Sequence, residues 1–157
     1  MYGSVIWDCC SAKSYYRVLR LQKRAARIIL GAEKTTPSTH LFNTLKWLPF
    51  RKQSMLKRSI VAFKRVNTTY CTSDCLDSFL VRNSDIHSRN TRYSNFNLIC
   101  PTFKRKTEGG KTFAVRNIRE WNSIDLNLRK KLSVSSFKKD LYRQLLNEQK
   151  TANSIKH

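Results

Sequence analysis

An all-helical domain of five or six helices with an irregular middle is the fold this sequence predicts. Three observations carry that expectation. On both sides of residues 67–110, apolar residues recur at spacings of three and four, the period of buried helix faces. Gly and Pro are scarce, four and three in 157 residues, and Gly31, Pro37 and Pro49 sit where helices should end or begin. Residues 67–110 lose the period and are rich in Ser, Thr and Asn, a stretch too long for an ordinary connection. The chain therefore divides into a helical region 1–66, an irregular basic region 67–110, a C-terminal helical region 111–150 and a frayed tail 151–157.

Residues 1–10 place Tyr2, Val5, Ile6 and Cys9 at helical spacing, with no capping residue ahead of them. Tyr15 to Gly31 is the most helix-like stretch. Ser11 or Ser14 can cap it, and Gly31 can end it in the left-handed conformation. At about 100° per residue, Val18, Leu21, Ala25, Ile28 and Ile29 fall on one side. Thr35-Thr36-Pro37 restarts the chain with a cap and a helix-opening Pro. The short helix that follows turns Leu41, Phe42 and Leu45 inward, with Trp47-Leu48 at its end. Pro49 opens a helix over about Phe50–Val66, with Leu56, Ile60, Phe63 and Val66 as its stripe.

In the middle, Leu76, Phe79 and Leu80 form a small apolar cluster. One short helix is expected near Asp74–Phe79 and a brief strand at Phe96–Ile99. Order returns with a helix over Lys111–Trp121 that carries Phe113, Ile118 and Trp121. Ser133 caps the last helix, whose stripe is Val134, Phe137, Leu141 and Leu145; beyond Glu148 it should fray. The expected core anchors are Leu21, Ile28, Leu45, Trp47, Leu56, Phe63, Trp121, Phe137 and Leu141.

Charge is the dominant compositional fact. Lys and Arg number 31 against 10 Asp and Glu, a formal net charge of +21. The excess is spread along the whole chain, so no single tail explains it. Such a density repels itself unless a polyanion is bound, and nucleic acid is the first polyanion to consider. Arg17, Arg20, Lys23, Arg24 and Arg27 share the side of the first helix opposite its apolar stripe. No Asp or Glu lies between Asp8 and Glu33. Arg51, Lys52, Lys57 and Arg58 can extend that face. Arg82, Arg89, Arg92 and Lys104-Arg105-Lys106 punctuate the middle, interleaved with Tyr93, Phe96 and Phe103. Cations neutralise phosphates and rings stack on exposed bases. The competing reading is a solvated charged face with Phe96 and Phe103 as core anchors.

Catalytic chemistry finds little support. The carboxylates form no paired-aspartate or HExxH motif, and acid–base or metal work needs convergent groups. Asp74 and Asp77 more simply favour a helix N-terminus. Cys71, Cys75, His87 and Cys100 are the one conceivable zinc set, but their intervals are long for a compact site, so no metal or other cofactor is expected. No apolar run is long enough to cross a membrane. Five cysteines, an odd count with no secretory signal ahead of them, point to reduced thiols and a nuclear or cytoplasmic setting.

Six stretches, taken in order, resemble one family. They are Tyr2-Gly3-Ser4-Val5-Ile6-Trp7, Leu21-Gln22-Lys23-Arg24-Ala25-Ala26-Arg27-Ile28-Ile29, Leu45-Lys46-Trp47-Leu48-Pro49, Thr91-Arg92, Trp121-Asn122-Ser123 and Ser136-Phe137-Lys138. Together they resemble the region downstream of the fingers and palm in LINE-type (non-LTR, jockey-like) retrotransposon reverse transcriptases, over about residues 2–146. The resemblance implies a thumb and post-thumb segment whose polymerase chemistry lies upstream, on a palm with paired aspartates that this chain lacks. The chain then reads as a C-terminal remnant beginning at an internal or new Met1. Where the family usually continues Leu-Pro after Trp-Asn-Ser, this chain has Ile124-Asp125, without the turn-setting Pro. The zinc knuckle of some relatives does not match the cysteine spacing here.

The function expected on these grounds is non-catalytic binding of the sugar-phosphate backbone of RNA or an RNA–DNA hybrid. Arg17, Arg20, Lys23, Arg24, Arg27, Arg51, Lys52 and Arg92 are the contact residues, and the upstream polymerase region is a natural partner. The rivals are a basic scaffold that docks an acidic protein, and a relic of a transposon with no function.

Overall fold

Ser11 opens the first helix and Gly31 closes it, as the capping signals require. In the computed structural model, which describes residues 11–67, 78–86, 95–102, 109–110 and 112–154, α1 runs over Ala12–Leu30. The Ser11 hydroxyl accepts from the Ser14 amide at 3.4 Å. Gly31 adopts φ 58°, and its N–H reaches back to the carbonyls of Arg27 and Ile28. A left-handed residue there satisfies carbonyls that the helix end would orphan.

Six more helices follow among the described residues: α2 (Ser38–Thr44), α3 (Phe50–Val66), α4 (Asn83–Ile86), α5 (Phe113–Ser123), α6 (Leu126–Arg129) and α7 (Val134–Ser154). The all-α expectation holds. Pro37 occupies the cap position of α2 rather than its first turn, so the helix begins one residue later than predicted, and Pro49 caps α3. Asp125 caps the unpredicted α6, its carboxylate accepting from the Asn127 amide. Ser133 caps α7, accepting from the Ser136 amide at 3.2 Å. That helix continues through Ser154, past the predicted fraying point.

The main core joins the two ends of the chain. Phe63 of α3, Trp121 of α5 and Phe137 of α7 are fully buried. The Phe63 and Phe137 rings stack at 4.5 Å between centroids, and Trp121 closes the triangle at 6.4 and 5.9 Å. Leu56, Val66, Ile118, Leu141 and Leu145 pack around them. The N-terminal and C-terminal helical regions therefore share one core.

The middle segment docks through specific polar groups. Leu80 and Leu98 are buried in that core, and Arg82 and Leu98 form an isolated antiparallel bridge where a strand was expected. Asn122 holds the Leu98 backbone at both poles: its Oδ1 accepts from the Leu98 amide at 3.0 Å, and its Nδ2 donates to the Leu98 carbonyl at 2.8 Å. The Trp121 indole N–H donates to the Phe96 carbonyl at 2.6 Å. Buried Arg129 donates to Asn97 Oδ1 at 2.7 Å and to the Phe96 carbonyl at 3.3 Å. These side chains supply the partners a sheet neighbour would otherwise provide. The expected helix over Asp74–Phe79 lies mostly outside the described residues. Its end reaches Ser78–Phe79, with Phe79 exposed.

A smaller cluster seats α1. Ala26 meets Leu41 and Phe42 of α2, with Leu19, Ala32, Leu45 and Trp47 packed against them. Gln22 ties this unit to α3: its Nε2 donates to the Leu48 carbonyl at 2.8 Å, and its Oε1 accepts from the Phe50 amide at 3.0 Å. One expectation fails here. Leu21 and Ile28 are not core anchors; they are 67% and 72% exposed, and Ile29 is 58% exposed. The apolar arc of α1 is wider than one neighbour can cover. The seven-residue α2 meets the stripe that carries Leu19, Gln22 and Ala26, because small Ala26 allows close approach and Gln22 finds two backbone partners.

Candidate nucleic-acid interface

The basic residues of α1 divide by exposure. Arg17, Arg20 and Arg24 are exposed, while Lys23 and Arg27 are half-buried. Arg27 leans toward the turn after its own helix, where Nη2 donates to the Thr36 carbonyl at 3.5 Å. Arg17, Arg20 and Arg24 lie within about 60° of each other around the helix axis, and α1 carries no acidic residue. Three cations of one sign thus face outward on a rigid element. Beside them runs the uncovered strip of Leu21, Ala25, Ile28 and Ile29.

Arg51 joins this end of the molecule. It is exposed at the start of α3, with its guanidinium carbon 5.3 Å from the centre of the Tyr15 ring on α1. Lys52 does not extend the face. Its Nζ donates to the Leu145 carbonyl at 3.0 Å and pairs with Glu148 at 3.6 Å, fastening α3 to α7. Lys57 is half-buried. Arg58 departs most from expectation: its side chain is 1% exposed and bidentate on Glu120, with Nε to Oε2 at 2.8 Å and Nη2 to Oε1 at 2.6 Å. It falls inward because α3 buries a broad face between α5 and α7, and position 58 belongs to that face. Arg92 lies outside the described residues.

Cys71, Cys75 and His87 lie outside the described residues, and Cys100 is an exposed free thiol. Among the described residues no three His, Cys, Asp or Glu side chains converge.

A second basic surface escaped the sequence reading. On the face of α7 away from Phe137, Leu141 and Leu145 lie Lys139, Arg143 and Lys150. They line a groove of about 340 Å³ whose other wall includes Asn43 and Lys46, at the end of α2. The signal was present in the sequence as cations four and seven residues apart on α7. The opposing Lys46 was not legible, because only the packing of α2 on α7 brings it there.

No family model, curated protein or solved structure matches the chain. Among the described residues no helix is long and apolar enough to cross a membrane. Separated cations on helix faces, without a cluster of acids, bases or nucleophiles between them, suit the binding of an extended polyanion.

Proposed function

We propose that this chain is a non-catalytic C-terminal portion of a non-LTR retrotransposon reverse transcriptase, and that it binds the backbone of RNA or an RNA–DNA hybrid. The observation that carries the binding reading is the outward trio Arg17, Arg20 and Arg24 on a helix without a carboxylate, in a chain of net charge +21. Arg51 stands beside the same helix. Such contacts read charge and backbone shape rather than sequence. The family origin rests on the ordered stretches of the sequence. Two of them, around Gln22 and around Leu48-Pro49, are bonded to each other here.

Arg17, Arg20 and Arg24 are the residues to change, rather than Arg27 or Lys52, which also serve the fold. Anisotropy titration of a labelled hybrid duplex should show log K falling with log salt. Replacing all three by Gln should flatten that slope by about 3 if each arginine neutralises one duplex phosphate. An unchanged slope in a folded triple variant would remove α1 from the interface.

A second reading draws on the uncovered strip. Leu21, Ile28 and Ile29, flanked by Arg17 and Arg24, have the chemistry to dock an amphipathic helix with acidic flanks, whether from the upstream polymerase region or another protein. Under that reading Leu21→Ser with Ile28→Gln abolishes partner binding and leaves hybrid binding intact.

A further inference from the structure

The groove between α7 and the end of α2 combines three features that α1 lacks. It is concave, about 340 Å³. Its floor holds a ring and an aliphatic side chain, Tyr142 and Leu146, both half-buried. Its rim carries Lys46, Lys139, Arg143 and Lys150, and among the described residues no carboxylate lines it. Asp140, three residues before Arg143 on α7, pairs with Arg143 at 3.3 Å and with Lys131 at 3.1 Å. A shallow extension, lined by Ser135, Lys138, Lys139 and Tyr142, continues from the same ring toward the start of α7.

The backbone at the rim is strained. Lys46 has φ 53°, the one non-Gly residue with positive φ among the described residues. A lysine in this conformation carries a steric cost that glycine would avoid, and such positions concentrate at functional sites. The strain is held from α7, where the Tyr142 hydroxyl donates to the Lys46 carbonyl. That bond fixes the ring, ties α7 to the turn, and leaves the Lys46 ammonium at the rim.

We infer that this groove binds a single-stranded stretch of nucleic acid, with a base against Tyr142 and successive phosphates along Lys139, Arg143 and Lys150. A duplex presents its phosphates outward and keeps its bases stacked inside, so it cannot use the ring at the floor. A single strand can use both ring and rim, the combination that serves sequence-tolerant single-strand binding. From Lys139 to Lys150 the helix rises about 16 Å, long enough to follow several phosphates of an extended strand. The inference rests on the proposed nucleic-acid binding but assigns it a second site and a different form of the ligand.

The test uses the full chain and two labelled probes: a blunt RNA–DNA hybrid, and the same hybrid with a ten-nucleotide single-stranded overhang. The wild type should bind the overhang probe more tightly. The variant Lys46→Gly/Lys139→Gln/Lys150→Gln removes three cations while relieving the strain at position 46, so a loss of fold cannot explain its phenotype if its melting temperature is maintained. Its salt slope on the overhang probe should fall by about 1.4, for the two phosphates assigned to Lys139 and Lys150 at about 0.7 per single-strand phosphate, with the blunt probe unaffected. Equal loss on both probes, or none on either, overturns the single-strand assignment. So does inorganic tripolyphosphate that displaces the overhang at equal concentration of phosphate, which would mark a simple anion site. Overhang binding that survives when the blunt hybrid fails to bind would retain this groove and reject α1.

Discussion

Arg58 and Glu120 make a buried ion pair whose two halves should respond unequally to mutation. The Arg58 side chain is 1% exposed and that of Glu120 is 24% exposed. Glu120→Ala takes the carboxylate away from a buried guanidinium that cannot shed its proton. Breaking a buried pair in this way costs about 3–5 kcal/mol. Arg58→Met keeps much of the packed stem and leaves a carboxylate that solvent already touches, so its cost should be nearer the 1–3 kcal/mol of one unsatisfied polar group, about 2 kcal/mol. Arg58→Met with Glu120→Leu removes both charges and should lie within about 1–2 kcal/mol of wild type, because well-packed apolar replacements of buried pairs are often neutral. Urea unfolding followed by far-ultraviolet circular dichroism reads all three. With a slope of about 2 kcal/mol/M, the Glu120→Ala midpoint moves by about 2 M and the Arg58→Met midpoint by about 1 M. The reasoning fails if Arg58→Met costs as much as Glu120→Ala, or if the double variant loses the sum of the two.

Two further stability predictions separate core from surface. Leu21→Ser and Ile28→Gln should each change stability by about 0.5 kcal/mol or less, as exposed positions do; a loss of about 2–5 kcal/mol, the cost of emptying a core position, would put them back in the core. Asn122→Leu should cost about 1–3 kcal/mol, because it leaves the buried Leu98 amide and carbonyl without their partner. Hydrogen exchange should quicken at the Leu98 amide in that variant, and unchanged protection there would show that Asn122 does not hold the segment.

The helices were legible in the sequence wherever a local signal set them. Ser11, Gly31, Pro49 and Ser133 act on their immediate neighbours, and each lies at the expected boundary or within a residue of it. The stripe Phe137, Leu141 and Leu145 was legible for a related reason: it is narrow, so only one face of α7 can be the buried one. On α1 the apolar arc spans two faces, and periodicity alone cannot say which one meets α2. The short α6 was missed because its signal is one capping aspartate ahead of a four-residue helix. The brief strand became a single bridge: the backbone of residues 81–83 bonds it at Asn97 and Ile99, while Trp121, Asn122 and Arg129 take the polar backbone groups of Phe96 and Leu98.

The candidate interface was legible in its charge and only partly in its residues. A net charge of +21 and a carboxylate-free helix are properties of the chain itself. Which cations face solvent depends on what lies across from them. Arg58 finds Glu120 sixty-two positions away, Lys52 finds Leu145 and Glu148, and Lys46 comes opposite α7 through Tyr142. By itself the sequence determined the longer helices, most of their ends and the large positive charge, because capping, periodicity and net charge are local or additive. Only the tertiary structure decided which arginines are pillars and which are open to a ligand, because pairing and burial are set by residues distant in the chain.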